Sequence, residues 1–273
     1  MGKLDEIIAH KREELARLKQ EKPLAQLERD LKRRPPVRNF RQAIRRPGSL
    51  SLIAEIKRSS PSAGAIRPGA DVLEIASSYA GAGAQAISVL TDARFFSGSL
   101  QDLISVREKV SLPVLRKDFL LEEYPIVEAA CAGADAVLLI AAALPPQELK
   151  RLLDLSKDLS MEALVEVHSE RELGEALEAG AGMIGVNNRD LNTFQVDLRT
   201  TERLMPRIPP DRTRVSESGL HSPQDVAFVR AQGADAVLIG EELMAAGDVG
   251  KKVRELMGSD PLSPYLDGLG ECR

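Results

Sequence analysis

Gly133-Ala-Asp-Ala-Val at 133–137 returns unchanged as Gly233-Ala-Asp-Ala-Val at 233–237. Two relaxed copies, Gly83-Ala-Gln-Ala-Ile and Gly180-Ala-Gly-Met-Ile, complete a set of four. Each follows a stretch of helical character and opens an apolar run. The glycine suits the position just past a helix C-terminus, where φ is positive, and the small residues after it suit a tight turn into a strand. The copies are about 50 residues apart, or about 25 per strand-plus-helix unit if one unmarked unit lies between each pair, which is the spacing of an eight-unit barrel.

Filling in the unmarked units gives eight predicted strands: Leu50–Lys57, Ala86–Thr91, Val114–Phe119, Ala136–Ala141, Ala163–His168, Met183–Asn188, Arg214–Glu217 and Ala236–Ile239. The expected fold class is α/β, a (β/α)8 TIM barrel with extra N-terminal helices. A doubly wound sheet needs only five or six strands, and no Gly-x-Gly-x-x-Gly follows the first strand here. Ahead of the barrel, Leu4, Ile7, Ile8, Leu15 and Leu18 recur at helical spacing with charges between them. Shorter helices are expected over Leu24–Leu31 and Phe40–Ile44, before Pro47-Gly48 ends the pattern. The 273 residues therefore read as one barrel domain over 1–257, with a helical extension over 1–46 and a poorly ordered tail over 258–273.

Composition narrows the function classes. Hydrophobic residues make up 43% and charged residues 29%, which suits a sizeable core and a solvated surface. A formal charge of −4 gives no general pull toward nucleic acid or membrane lipid. No apolar run is long enough to cross a bilayer, and the first twenty residues lack an apolar signal core, so a cytoplasmic protein is expected. Cys131 and Cys272 are too few for a disulfide framework, and Cys131 is expected to pack as a small hydrophobe.

Alternation along a strand then places charges where a core should be. Ile53, Glu55 and Lys57 share a face, as do Leu115, Lys117 and Phe119; Leu164, Glu166 and His168; and Gly185, Asn187 and Arg189. Glu217 ends the seventh strand. Three acids and three bases thus point into the barrel at the C-terminal strand ends, the end at which barrels of this kind place their active sites. An unpaired buried ion costs several kcal/mol, so a chain shaped for stability alone would carry Leu or Val there. Asp118 and Asp190 fall on the outer face, as helix or loop anchors, and His168 reads as a partly exposed structural residue. The histidines lie in unrelated elements with no metal-ligand spacing. Ser218-Gly219 and Gly240 end the seventh and eighth strands ahead of helix-prone segments, the usual phosphate cradle of the fold. A structural salt-bridge network and two ordinary turns are the plainer readings of these two features.

Five segments then match in order: Ile-Ala-Glu-Ile-Lys-Arg-Ser-Ser-Pro-Ser (53–62), Leu-Arg-Lys-Asp-Phe (115–119), Leu-Val-Glu-Val-His (164–168), Ile-Gly-Val-Asn-Asn-Arg-Asp-Leu (184–191) and Val-Ser-Glu-Ser-Gly (215–219). Together they resemble the indole-3-glycerol phosphate synthase family. The resemblance implies a lyase that closes 1-(2-carboxyphenylamino)-1-deoxyribulose 5-phosphate to an indole, with loss of CO2 and water and with neither cofactor nor metal. By motif, Lys117 resembles the general acid of ring closure, Glu166 its partner in dehydration, and Lys57 the holder of the anthranilate carboxylate. Glu55, Asn187, Arg189, Glu217 and Ser218 match orienting or substrate-binding positions. Phe119 would pack on the aromatic ring, and Ser60, Gly219 and Gly240 match the phosphate cradle. Glu241 departs from the pattern, because an acid beside the phosphate would repel it unless its side chain turned outward. The resemblance also places residues 1–46 over the barrel mouth. The expected partner is a phosphorylated small molecule, and a monomer or weak homodimer is expected. A phosphoribosylanthranilate isomerase-like barrel and a silent phosphate-binding barrel are the alternatives; the first needs a cysteine/aspartate pair where this chain offers Glu55 and Lys57.

Overall fold

The computed structural model describes residues 2–258. Eight parallel strands close into a barrel in chain order: β1 (Ser51–Ile56), β2 (Ala86–Leu90), β3 (Val114–Lys117), β4 (Ala136–Ile140), β5 (Glu162–Val167), β6 (Met183–Asn187), β7 (Thr213–Glu217) and β8 (Ala236–Ile239). β1 pairs with both β2 and β8, which closes the ring. All eight predicted strands are present, with ends moved by no more than two residues. β3 stops at Lys117, short of the predicted Phe119, because Asp118 turns to bond Thr91 Oγ1 at 2.6 Å and the amide of Phe119 at 2.8 Å. The four marker glycines adopt φ of +90°, +84°, +87° and +95°, the conformation that leaves those positions to glycine.

Alternation is realised as expected. Ala54, Ile56, Val165, Val167, Ile184 and Val186 join the layer between barrel and outer helices. Ile53, Leu115, Leu138, Leu164, Met183, Val215 and Leu238 fill the interior. Apart from half-buried Glu162 at the start of β5, the charged inward positions are the last on their strands, so the barrel has a largely apolar floor and middle beneath a polar mouth.

The N-terminal extension does not lie wholly over the mouth. α1 (Lys3–Glu21) does, with Leu4 and Ile7 on the mouth cleft. α2 (Leu24–Asp30) packs on the barrel's flank, where buried Leu27 meets Tyr124 and Val127 of the helix Glu123–Cys131. Cys131 is half-buried there and donates to the carbonyl of Leu27 at 3.2 Å, a packing role as expected. α3 (Phe40–Ile44) sits at the opposite end of the barrel. Its Asn39 cap accepts from the amide of Gln42 at 2.8 Å, and Phe40 and Ile44, one turn apart, are both 0% exposed. They join Ile53, Ala86, Leu115, Ala136, Met183, Val215 and Ala236 in one cluster, which makes them the plug of the barrel floor. Arg41 fixes the plug through Thr213 Oγ1 (3.1 Å), the first residue of β7, and the carbonyl of Asp211 (2.7 Å). The expectation of a lid over 1–46 is therefore corrected to a lid formed by α1 alone. An open barrel end exposes inward side chains, and a short apolar helix is the least chain that covers them.

The predicted tail over 258–273 lies outside the described residues except for Gly258. Among the described residues no helix is long and apolar enough to cross a membrane.

Candidate active site

The C-terminal strand ends surround a cleft of about 850 Å³ lined by Glu55, Lys57, Ser60, Lys117, Phe119, Glu166, Asn187, Arg189, Glu217 and Ser218. A smaller cleft of about 360 Å³ adjoins it, sharing Glu55, Lys57, Arg189 and Ser218 and adding Gly219, Gly240 and Glu241. All twelve site residues expected from the sequence lie on one or both, and Ser60 faces the larger cleft rather than the smaller.

At the centre, Lys117 Nζ lies 3.1 Å from Glu217 Oε2 and 3.3 Å from Glu166 Oε2. Glu166 is 2% and Glu217 1% exposed. Beside them Lys57 Nζ meets Glu55 Oε1 at 3.1 Å. Two glycines make room for these acids: a Cβ at Gly185 would overlap Glu217 Oε1, and one at Gly240 would lie 2.5 Å from Glu55 Oε1. An alanine at either position would push a carboxylate out of place.

The electrostatics separate the two central acids. Burial works against the charge on Lys117, but Glu217, Glu166 and Glu55 outweigh it and hold the ammonium well above its ordinary range, so it stays protonated. Burial also opposes ionisation of Glu166, yet Lys117, His168 and Asn187 together hold that carboxyl below its usual value. For Glu217 burial wins over the pull of Lys117, with Glu166 adding repulsion, and its pKa is pushed up to about 7. One ammonium cannot serve two acids equally. Neither Glu217 oxygen has a hydrogen-bond partner among the described residues, since Lys117 approaches Oε2 as an ion pair off the hydrogen-bonding direction.

Residues outside the expected set complete the site. His168 is no bystander: Nε2 lies 3.5 Å from Glu166 Oε1 and Nδ1 3.2 Å from Glu172 Oε2. Asp118 is an anchor as expected, and it anchors the lid. Lys11 of α1 is 5% exposed and its Nζ lies 2.9 Å from both Asp118 and Asp92. Asp190 holds its own loop by accepting from the amides of Asn192 and Thr193. Leu4, Ile7, Phe96, Leu191 and Phe194 form an apolar vault over the polar floor of the cleft, and Phe96 lies 6.3 Å from Phe119, ring centre to ring centre. A flat aromatic ligand fits between such walls.

The smaller cleft carries backbone donors. Ser218 and Gly219 adopt φ of +64° and +76°, and for Ser218 this is a strained conformation of the kind functional loops retain. The amides of Ser218, Gly219, Leu220 and Gly240 donate to no protein acceptor among the described residues. Glu241 does not turn outward: Oε2 lies 3.2 Å from Arg189 Nη2. No group of three or more His, Cys, Asp or Glu among the described residues is arranged to hold a metal ion.

A family model described as indole-3-glycerol phosphate synthase matches residues 4–256. The chain belongs to the indole-3-glycerol phosphate synthase family. It is 48% identical over 263 residues to the indole-3-glycerol phosphate synthase of Roseiflexus sp. (strain RS-1), covering 93% of this chain and 98% of the relative. It is 46% identical to that of Acetivibrio thermocellus, covering 92% and 98%, and 46% identical to that of Bordetella pertussis, covering 93% and 98%. Among solved structures, the 3-hexulose-6-phosphate synthase of Salmonella typhimurium superposes with a TM-score of 0.62 at 15% identity, over 76% of this chain and 97% of that one. A thiamine phosphate pyrophosphorylase from Pyrococcus furiosus gives 0.59 at 18%, over 85% and 100%. These two bear on the barrel alone. As an indole-3-glycerol phosphate synthase family member, the chain is a carboxy-lyase of tryptophan biosynthesis acting on a phosphorylated small molecule, not an isomerase or a silent barrel.

Proposed function

We propose a division of labour among the mouth residues for the closure of 1-(2-carboxyphenylamino)-1-deoxyribulose 5-phosphate to indole-3-glycerol phosphate, and the observation that carries it is a protonated Lys117 set between two acids of unequal pKa. In ring closure the aromatic carbon that bears the carboxylate attacks the ribulose carbonyl, whose oxygen gains negative charge. Lys117 donates to that oxygen and delivers its proton. A fixed ammonium in a dry pocket stabilises that charge without reorganising solvent. Loss of CO2 then returns the electron pair to the ring. Dehydration removes one proton from the new ring and adds one to the departing hydroxyl. Glu166, held ionised, accepts the first. Glu217, half protonated near neutrality and without hydrogen-bond partners, is suited to return a proton to Lys117 or to the hydroxyl.

Lys57, held by Glu55, faces the substrate carboxylate, and Asn187 orients Glu166. Phe119 and the apolar vault grip the anthranilate ring. At the other end, the free amides of Ser218, Gly219 and Gly240 receive the phosphate, with Arg189 at the junction of the two clefts and Ser60 on the wall between ring and ribose.

Lys117→Met tests the reactive end. It keeps much of the length and loses the proton, so kcat and kcat/KM should fall together, by roughly 10²–10⁴-fold for a positioned acid. The chain has no Trp, so indole fluorescence reports turnover against a low background. Arg189→Met, at the anchoring end, should chiefly raise KM. A Lys117→Met enzyme changed only in KM would mean that the reactive and anchoring ends have been exchanged. Gly219→Pro is a poor probe of the same cradle, because proline's φ of about −65° is incompatible with the observed +76°.

A further inference from the structure

We infer that Glu241 is a built-in anion that occupies Arg189 while the smaller cleft is empty and gives it up to the substrate's phosphate, so that Glu241 sets the affinity of the anchoring end. This rests on the phosphate assignment above. Glu241 opens the short helix Glu241–Ala245 directly after Gly240. A carboxylate there would ordinarily cap its own helix or extend into water. Instead its side-chain partner among the described residues is Arg189, with Oε2 3.2 Å from Nη2. The neighbouring Glu242 points elsewhere, to His221 Nδ1 at 2.8 Å and Lys252 Nζ at 3.6 Å, so the two consecutive acids divide between the cleft and its rim. Arg189 and Glu241 line the same cleft as the free amides of Ser218, Gly219 and Gly240.

The pair is poised for exchange. The Arg189 side chain is 19% and that of Glu241 33% exposed, enough water for the contact to break without stranding a dry charge. A phosphate on the Ser218 and Gly219 amides brings up to two negative charges to the same guanidinium. Carboxylate and phosphate cannot both keep it without repelling each other, and the phosphate accepts a charge-assisted fork better than a single carboxylate oxygen does. Binding therefore exchanges one anion for another on Arg189, and the net affinity is reduced by what the Arg189–Glu241 contact is worth. The carboxylate also keeps Arg189 extended toward the cleft between turnovers.

The test is competition by inorganic phosphate against substrate in the full-length enzyme, together with KM, for wild type, Glu241→Gln, Arg189→Met and the double variant. Freeing Arg189 from a partly exposed ion pair should lower both the phosphate competition constant and KM by roughly three- to fivefold in Glu241→Gln. In the Arg189→Met background the same change should have no effect beyond about twofold, since a coupling that runs through Arg189 vanishes with it. A Glu241→Gln enzyme with unchanged or weaker phosphate binding overturns the inference. So does an equal gain in the Arg189→Met background, which would make Glu241 a simple repulsive charge. If inorganic phosphate fails to compete even with wild type, the phosphate assignment itself falls, and the inference falls with it.

Discussion

Phe40→Ala separates the two ends of the N-terminal extension. Phe40 is 0% exposed and belongs to the barrel-interior cluster, which runs from the lowest inward residues of the strands up to Leu4 and Ile7 at the mouth; the bonds of neighbouring Arg41 to Thr213 and Asp211 place it at the floor end. Truncating a phenylalanine in such a place costs about 3–5 kcal/mol, from lost transfer energy and from the cavity left under a rigid barrel. That is a large share of the 5–15 kcal/mol typical of a folded domain. With a urea slope of about 3 kcal/mol/M, the unfolding midpoint should move down by about 1–1.7 M. Far-UV circular dichroism during urea titration reads the shift, and KM measured well below the midpoint reads the site. KM should stay close to wild type, because the cluster floor is separated from the mouth by the layer of Leu138, Leu164 and Leu238. Ile7→Ala at the lid should do the opposite, raising KM by loosening the vault with a smaller loss of stability. A Phe40→Ala protein with an unmoved midpoint and a raised KM would show that α3 belongs to the mouth and that the floor assignment is wrong.

Two further outcomes follow from buried charge. Glu217 has a folded pKa pushed up to about 7 from an ordinary 4.5, so its protonated form is the one the fold favours. Its stabilising contribution is complete below about pH 4.5 and is lost as pH rises through 7, so the stability of Glu217→Gln relative to wild type should grow across that window by about 3 kcal/mol. Thermal unfolding between pH 4.5 and 8.5 measures it, and a gap that stays constant or shrinks would refute the assignment of protonation. Lys11→Met leaves Asp92 and Asp118 facing each other without their shared cation, at a cost of about 3–5 kcal/mol. A raised KM should accompany the fall in melting temperature, and melting and kinetics like those of wild type would show that α1 is not held by this contact.

The barrel was legible because two elementary rules act on every unit. A helix that must turn sharply into a strand needs φ above zero, which exposes Gly83, Gly133, Gly180 and Gly233; a strand that lines a closed barrel shows its inward residues at every second position. The same alternation brings Glu55, Lys57, Lys117, Glu166 and Glu217 to one end from the sequence alone. Periodicity names the buried face of a helix, but not what covers it. Phe40 and Ile44 mark a stripe that suits a lid as well as a plug, and only the contacts of Arg41 with β7 decide. Lys11 read as one of the charges between apolar positions, though it lies on the buried stripe with Leu4, Ile7 and Leu15. Its neighbour Glu14 is a local partner at 2.8 Å, but Asp92 and Asp118, about 80 and 107 residues away, leave no local signal. His168 was legible as a position and not as a partner, since its link to Glu172 depends on how the next helix begins. Glu241 was read by its own charge alone, and its turn toward Arg189 depends on a loop about 50 residues earlier.

The charges at the mouth determine what the site can accept. Lys117 neutralises Glu166, Lys57 neutralises Glu55, Arg189 is matched by Glu241, and Glu217 is half protonated near neutrality. The empty mouth is therefore close to neutral, although its ligand carries a carboxylate and a phosphate. A site with three bare cations would bind that ligand more tightly and would also hold a product that keeps the phosphate. Here each anionic end meets a cation that already has a partner. The two pairs differ in how easily they open. In Lys57–Glu55 the acid is the drier partner, at 5% against 33% for Glu241, with Gly240 clearing the space for it, so the proposed carboxylate end meets a cation whose counter-ion is held in place. Arg189–Glu241 is partly wet and sits on a five-residue helix, so it can exchange. Decarboxylation removes the negative charge at the first end and leaves the phosphate at the second. In the proposed orientation the end that still holds product is the end where the protein keeps a competing anion, so product release is expected to slow in Glu241→Gln.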